Sequence, residues 1–239
     1  LVQTQDTTNK KTFFNSNYAY FSSTSSTWLD HSKRYVSKVV NELKLDNNSF
    51  VLEIASNDGY LLKNFLYKNI PCLGIEPAES TAREAIKLGL NTWVDFYSLP
   101  LAEKIAEEYG KADLVICNNV YAHVPDINDF TKALETSLKD NAVVTLEFPH
   151  LLNLIKQCQF DTIYHEHYSY LSVRTVSKIF KKNGLRIFKV EKMPTHGGSV
   201  RIYGCKKNAQ HKTNQSIGKI IDEEKQEGLF DLNQYHAFR

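Results

Sequence analysis

The sequence predicts an α/β protein built on a doubly wound, mostly parallel sheet of seven strands. Short apolar segments alternate with amphipathic segments of helical length over residues 49–150, which is the pattern of consecutive βαβ units. Two further apolar segments, at 185–193 and 197–205, predict a β-hairpin that closes the sheet. The composition, with 42% hydrophobic and 23% charged residues among 239, is ordinary for a globular domain.

The spacing of apolar residues predicts each element in turn. A lead-in helix is predicted over 29–45, where Tyr35, Val36, Val39, Val40 and Leu43 recur at helical spacing. Strands are predicted at 49–56, 72–77, 91–96, 112–119 and 142–150, of which the third is weak. The helices between them are predicted at 58–69, 78–89, 99–110 and 126–140, and later ones at 173–184 and 217–229.

We expect three parts in the chain: an arm with the lead-in helix over 1–45, the sheet domain over 46–205, and a helical extension over 206–239 that is the start of a missing domain. The arm is rich in Ser and Thr and carries many aromatic residues, so it is either a mobile tail or a segment that packs over a ligand. Because the chain starts at Leu1 and its last residues follow a helical pattern without a cap, we expect a piece of a longer polypeptide.

Charge and cysteine usage exclude several classes of protein. The formal net charge is +2, from 29 basic and 27 acidic residues, and without a basic run we expect no nucleic-acid partner. The four cysteines form no CxxC pair, which argues against a zinc ribbon or a disulfide framework and fits the reducing cytoplasm. No segment has the roughly 20 apolar residues of a membrane helix, so no membrane partner is expected.

Acidic residues follow the first two predicted strands, where doubly wound sheets bind their ligands. Glu53 ends the first strand, and Asn57-Asp58-Gly59 forms the turn after it, with Gly59 giving the backbone freedom that a close ligand requires. Glu76 ends the second strand, where an acidic side chain can accept both hydroxyls of a ribose. Alternatively, Glu53 and Asp58 cap the following helix.

The turn favours one kind of nucleotide ligand over another. Its sequence, ASNDG, lacks the GxGxxG glycines that hold a dinucleotide pyrophosphate, so an NAD-type dehydrogenase is the weakest interpretation. An acidic residue before a short turn better suits a nucleoside that carries an amino acid, namely S-adenosylmethionine. The candidate cofactor-binding residues are Glu53, Ser56, Asn57, Asp58, Gly59, Glu76, Pro77, Asp95, Phe96, Asn118, Tyr20 and Ser22.

The segment FDTIYHEHYSYLS, residues 160–172, concentrates groups that can transfer protons. Histidine suits a base near neutral pH, and tyrosine suits a donor to an oxyanion. In an extended conformation His165 and His167 would share one side, whereas in a helical turn Tyr164 and His167 would meet. The pattern leaves both conformations open.

Six fragments in order resemble the sugar C-methyltransferases: NYAYFSSTSSTW, EIASNDGYLL, GIEPA, NNVYAHVPD, FDTIYHEHYSYLS and HGGSVRIY. The resemblance covers about residues 12–205. It implies a class I methyltransferase fold and S-adenosylmethionine-dependent methylation of a carbon in a nucleotide-linked keto-sugar, in deoxysugar biosynthesis. Members of that family also carry an N-terminal zinc domain and a further C-terminal α/β domain, for which this chain has no matching segment.

The resemblance implies a catalytic cluster of Tyr164, Glu166, His167 and His123. We expect His167 to be the base that forms an enolate, Tyr164 and His123 to lie near the enolate oxygen, and Glu166 to orient a histidine or a sugar hydroxyl. HGGS, residues 196–199, would bring its backbone close to the sugar or its phosphates, or would form only a tight hairpin turn.

Three other functions remain open. Methylation of an oxygen or nitrogen would use the same core, but it needs only one base. A binding or scaffold module would keep the fold without the chemistry. A zinc site of His123, His165 and His167 is a weaker alternative, since methyl transfer to carbon requires no metal and HExxH is absent; we expect none.

Overall fold

The computed structural model describes residues 2–4, 14, 18–164 and 166–236. Its strands there are β1 Val2–Gln3, β2 Val51–Ile54, β3 Cys72–Ile75, β4 Thr92–Trp93, β5 Ala112–Asn118, β6 Leu138–Pro149, β7 Ser169–Tyr170, β8 Leu185–Met193 and β9 Ser199–Lys206. Its α-helices there are α1 Ser26–Leu43, α2 Lys63–Leu66, α3 Glu79–Lys87, α4 Leu99–Tyr109, α5 Ile127–Ser137, α6 Leu151–Lys156, α7 Val173–Lys182, α8 Ser216–Gln226 and α9 Leu232–His236.

Seven strands form one sheet in the order β4-β3-β2-β5-β6-β9-β8. β2 is parallel to both β3 and β5, and β3 is parallel to β4. β9 is antiparallel to both β6 and β8, and the pair β8–β9 is a hairpin. The predicted doubly wound, mostly parallel seven-stranded sheet with a terminal hairpin is therefore confirmed.

The main departure from the predicted elements lies at 58–69, where a single amphipathic helix was expected. The α-helix there is only Lys63–Leu66, and tighter bonds such as Phe65 N–H to the Leu62 carbonyl (2.9 Å) build the segment around it. Residues 58–62 are all buried, so the first part of the segment has no solvent face for a regular amphipathic helix, whereas residues 66–69 at its end are exposed. In the described part of the chain, no helix is long and apolar enough to cross a membrane.

The chain divides into two compact units, each described by itself. The N-terminal unit holds the described residues of 8–116 with 136–139, and its core includes Leu52, Phe65 and Leu73. The C-terminal unit holds the described residues of 1–7 with 117–135 and 140–239, and its core includes Phe148 and Phe180. The domain boundaries expected near residues 45 and 205 stay a prediction.

Within the C-terminal unit, the start of the chain pairs with the strand that follows His167. β1 is antiparallel to β7, with Val2 opposite Tyr170. Beyond β1, Thr4 donates its backbone N–H to the Tyr168 carbonyl (3.0 Å) and its hydroxyl to the His167 carbonyl (3.1 Å). The start of the chain thus holds the backbone of the segment 167–170 in place. Residues 5–13 and 15–17 of the predicted arm lie outside the described residues.

Gly59→Ala is expected to destabilise the N-terminal unit more than Gly89→Ala. Both glycines have left-handed φ angles, 77° and 82°, and a side chain in that region costs about 1–2 kcal/mol. A Cβ at Gly59 would also lie 2.3 Å from Leu90 Cδ1, adding about 1–3 kcal/mol of overpacking, whereas a Cβ at Gly89 meets nothing within 4 Å. Urea denaturation of the two variants measures the difference. Equal losses of unfolding free energy in the two variants would show that the Leu90 side chain moves aside without destabilising the protein.

Candidate active site

The turn after β2 lies where the strand order reverses, since β2 separates β3 from β5. Ala55, Asn57 and Gly59 all have left-handed backbones, with φ of 56°, 51° and 77°. Ala55 and Asn57 thus adopt the conformation for which dinucleotide-binding turns use glycine. Ser56 is buried between them, and its backbone N–H bonds to the Ile75 carbonyl (3.1 Å).

Glu53 is a buried carboxylate whose two oxygens have no hydrogen-bond partner among the described residues. Burial raises its pKa well above the ordinary value, and the nearby carboxylates of Glu76 and Asp58 raise that pKa further. A buried carboxyl without partners is costly, and a ligand with N–H or O–H donors would relieve that cost. Glu53 and Asp58 do not cap α2, whose N-cap residue is Leu62 without a side-chain bond.

Glu76 bridges the first and second strand ends through backbone N–H groups. One carboxylate oxygen accepts from Asn57 and the other from Ala78, both at 2.8 Å. Burial raises the pKa of Glu76, while these two hydrogen bonds lower it. Each oxygen keeps a second lone pair, so the carboxylate can still accept a ribose hydroxyl. Pro77, between Glu76 and Ala78, is half-buried.

Asn57 and Asp58 hold the arm against the turn. The Asn57 side chain donates to the Tyr20 carbonyl (3.0 Å) and accepts the Ser22 N–H (2.8 Å), and Asp58 accepts the Ser23 N–H (3.0 Å). Ser22 is buried, whereas the Tyr20 side chain is exposed. The arm residues 20–23 are therefore bound to the turn after β2. Asn57 contacts them with both the nitrogen and the oxygen of its side-chain amide.

Asp95 and Phe96 follow the short β4. Asp95 is exposed and accepts the N–H of Phe96 (2.7 Å), and Phe96 is half-buried. The arm residue Phe14 approaches Phe96 edge-on, with ring centroids 6.4 Å apart, and also contacts Tyr18. Aromatic residues from two parts of the N-terminal unit therefore meet beside Asp95.

At the end of β5 the C-terminal unit places two asparagines. Asn118, predicted as a cofactor contact, is buried, and Asn119 has a left-handed backbone (φ 53°). The side-chain oxygens of both are buried and have no hydrogen-bond partner among the described residues. Sequence reasoning missed Asn119, although an Asn pair at a strand end was a visible signal for a left-handed turn.

Tyr164 and His167 meet in a turn, the second of the two conformations that the sequence left open. The His167 N–H bonds to the Tyr164 carbonyl (3.0 Å), and the Tyr164 hydroxyl lies 3.0 Å from His167 Nε2. His167 Nδ1 lies 2.8 Å from the Thr162 carbonyl, which can only accept. Nδ1 therefore carries the proton of the neutral ring, and Nε2 has the lone pair that accepts from Tyr164. His165 lies outside the described residues.

His123 is the second histidine of the cluster, and its ring centroid lies 4.7 Å from that of His167. Burial lowers the pKa of His123 to about 3, and the neighbouring His167 contributes in the same direction. Burial also lowers the pKa of His167. The hydrogen bond to the Thr162 carbonyl raises that pKa, but its effect is smaller. Burial raises the pKa of the half-buried Glu166. Both rings are therefore neutral at neutral pH, and His167 can act as a base.

A buried ion pair that sequence reasoning missed lies behind the HGGS turn. Glu147 of β6 and Arg201 of β9 are directly opposite in register and form a salt bridge inside the unit. Glu147 also accepts the hydroxyl of Thr195 (3.0 Å), and its backbone carbonyl accepts the N–H of Asn119 (2.7 Å). Glu147 thus connects the loop before His123 with the turn that contains His196.

The HGGS turn is the loop of the β8–β9 hairpin, which is the simpler of the two interpretations. Met193 pairs with Ser199, and His196, Gly197 and Gly198 between them all have left-handed φ angles. Two side chains from outside the hairpin hold this loop in place. Gln159 donates to the Gly197 carbonyl (2.8 Å), and Asn153 donates to the Gly198 carbonyl (2.9 Å). Within the described ranges, no group of three or more His, Cys, Asp or Glu could hold a metal ion.

Comparisons with known proteins agree with this fold. A family model described as a methyltransferase domain matches residues 28–190, and one described as a C-methyltransferase C-terminal domain matches residues 194–239. The C-methyltransferase NovU of Streptomyces niveus is 30% identical over 221 residues, which are 92% of this chain and 53% of NovU. The chain therefore spans about half the length of that relative.

Two solved structures share the fold at low identity. Magnesium protoporphyrin IX methyltransferase of Synechocystis PCC 6803, solved with bound SAH, has a TM-score of 0.58 and 16% identity over 74% of this chain and 83% of its own. The PH0226 protein of Pyrococcus horikoshii OT3 has a TM-score of 0.63 and 15% identity over 79% and 95%. The chain belongs to the methyltransferase-domain family, with the class I fold, and its resemblance to C-methyltransferases is confirmed.

Proposed function

We propose that this chain transfers a methyl group from S-adenosylmethionine to a carbon of a nucleotide-linked keto-deoxysugar, through an enolate. The observation that supports carbon as the acceptor is the state of His167. Its ring is neutral, its Nδ1–H is fixed by the Thr162 carbonyl, and its Nε2 lone pair is directed at a hydroxyl. A base with a fixed tautomer next to hydroxyl and imidazole groups is what removal of a proton beside a ketone requires.

The residues at the end of β2 fit the proposed cofactor. Two unpartnered Glu53 oxygens and one unpartnered Asp58 oxygen suit the donors of a nucleoside that carries an amino acid. The left-handed backbone at Ala55 and Asn57 lets a ligand approach the turn closely. Glu76 would accept a ribose hydroxyl, and Phe96 would contact the purine. When bound, S-adenosylmethionine supplies an electrophilic methyl group.

The protein residues divide the proton transfer between them. His167 Nε2 takes the proton from the carbon beside the ketone, after Tyr164 releases its bond to that nitrogen. The freed Tyr164 hydroxyl and His123 then donate to the enolate oxygen, and Glu166 orients a sugar hydroxyl. His123 can donate without becoming charged, because burial keeps its pKa at about 3.

The proposal is tested by incubating the protein with isotopically labelled S-adenosylmethionine and a panel of dTDP-linked and UDP-linked keto-deoxyhexoses. We expect the labelled methyl group on the carbon adjacent to the ketone, observed by NMR as a new carbon–carbon bond. A label on oxygen or nitrogen would replace the proposal with the O- or N-methyltransferase alternative. Binding of S-adenosylhomocysteine without transfer to any acceptor would support the binding-module alternative.

Glu76→Ala is expected to weaken the binding of S-adenosylhomocysteine about 10- to 100-fold, the cost of one or two hydrogen bonds to a charged group. Calorimetric titration measures this affinity, with NAD as a ligand control that should not bind. The matched variant is Glu84→Ala, which removes an exposed carboxylate paired with Lys87 (2.6 Å) and should leave the affinity unchanged. Equal affinities for the parent and Glu76→Ala would remove the ribose contact from the proposal.

We also propose that the protein works in the cytoplasm, on the basis of its cysteines alone. All four cysteines are free thiols in the structure, and burial raises the pKa of Cys72 to about 12 and also raises the pKa of Cys205. Cys72 and Cys205 are therefore poorly reactive, and free thiols suit the cytoplasm, where nucleotide-linked sugars would be the small-molecule partners.

A further inference from the structure

Tyr170 lies in β7, three residues after His167, and sequence reasoning assigned it no role. Its side chain is 9% exposed. Its ring approaches that of His167 edge-on, with centroids 6.2 Å apart. Both side chains line one small pocket of the C-terminal unit, whose other walls include Ala122, Phe148, Leu151 and Thr162.

The Tyr170 hydroxyl has no acceptor for its proton among the described residues. Leaving the proton of a buried hydroxyl without an acceptor is costly, so native structures rarely retain one without a reason. Burial raises the pKa of Tyr170. The backbone N–H of Tyr164 lowers that pKa, but by less. The hydroxyl thus stays protonated at neutral pH, beside the segment that contains the base, and it can only be satisfied by an acceptor from outside.

The pocket has room for about one water-sized group, but a water molecule would find few polar partners there. A buried water needs two to four polar partners, roughly, and the pocket walls are largely aliphatic and aromatic. A ligand's carbonyl oxygen suits the pocket better, because only that oxygen has to enter and a single donor satisfies it. A ketone has such an oxygen.

We propose that the Tyr170 hydroxyl is a further catalytic group that donates a hydrogen bond to the acceptor's ketone oxygen; this inference rests on the proposed function. As His167 Nε2 takes the proton, the carbon–hydrogen electron pair moves into the new carbon–carbon double bond, and the ketone oxygen gains negative charge. The Tyr170 hydroxyl keeps its own proton, and its hydrogen bond strengthens as that charge grows.

The test is Tyr170→Phe, which removes one oxygen atom and preserves the ring. The measurement is deuterium exchange from solvent into the carbon beside the ketone, followed by NMR. The protein is given S-adenosylhomocysteine and the keto-deoxyhexose panel, so that no methyl transfer is needed. Per folded molecule, we expect the exchange rate to fall about 100-fold, the effect of losing one oxyanion donor. The melting temperature should stay equal or rise, because the variant removes a buried hydroxyl whose proton has no acceptor in the described ranges.

The matched control is Tyr203→Phe. Tyr203 is also buried, but its hydroxyl donates to Glu191 (3.0 Å) on the neighbouring β8. This variant should melt at a lower temperature and should exchange deuterium at the parental rate. If the parent exchanges but Tyr170→Phe exchanges equally fast, the catalytic role of Tyr170 is wrong. If the parent exchanges with none of the sugars, the proposed function itself fails.

Discussion

His167→Asn is expected to lower the rate of methyl transfer about 10²- to 10⁴-fold, the usual effect of losing a general base. Asparagine retains a donor that can reach the Thr162 carbonyl, but it provides no basic lone pair where Nε2 accepts from Tyr164. Affinity for S-adenosylhomocysteine should change little, which calorimetric titration would establish. His236→Asn, at an exposed position in α9, is the control and should keep parental turnover.

The pH profile of the parent provides a second measurement of the same residue. Burial lowers the pKa of His167 below its ordinary value of 6.5, and the nearby His196 also lowers it, against the Thr162 carbonyl. A lowered pKa means that the neutral base persists to lower pH and is lost only as pH falls through that pKa. The acidic limb of kcat should therefore have its midpoint below 6.5 and disappear in His167→Asn. A midpoint above 6.5 would contradict the base assignment.

Arg201→Met is expected to lower the free energy of unfolding by about 3–5 kcal/mol, because it leaves the buried Glu147 carboxylate without its cation. Urea denaturation measures this loss. Lys192→Met is the matched control, since Lys192 forms an ion pair of 2.6 Å with Glu223 but is largely exposed. That exposed pair should contribute about 1 kcal/mol or less.

A double variant separates charge from packing. Combining Arg201→Met with Glu147→Leu removes both charges and should restore a large part of the lost stability, because an apolar pair can replace a buried ion pair. If the double variant is no more stable than Arg201→Met, then the loss comes from the volume and shape of arginine. In that case the buried charge of Glu147 would not be the cause.

The strands of the seven-stranded sheet could be predicted because their signal is local, whereas the two-stranded pair of β1 and β7 was missed. β2, β3 and β5 are short apolar segments buried on both faces. Such a segment can be recognised from its own residues, without knowledge of distant parts of the chain. The segment 58–69 failed as a single helix for the opposite reason. Its conformation depends on the left-handed Gly59 and on close packing with Leu90 and Ala85, which lie some 30 residues later.

The candidate site divides in the same way. Glu53, Glu76 and Asn118 could be located because each stands at or beside the end of a predictable strand. The Glu147–Arg201 pair could not, because it depends on the register of two strands 54 residues apart. Tyr170 was also missed. Tyr170 stands out because its hydroxyl proton has no acceptor within the described part of the structure. The absence of an acceptor depends on the residues packed around Tyr170, which the sequence pattern does not reveal.

The contact between Thr4 and His167 affects how the protein acquires its structure. It joins residues 163 positions apart in sequence. Closing so large a loop costs chain entropy before any bond forms, and contacts of this separation slow folding. During synthesis, Thr4 must wait until β7 has been made before its two hydrogen bonds can form. The backbone of the histidine segment is therefore completed late, and competence for proton transfer arrives after the core of the N-terminal unit has been synthesised.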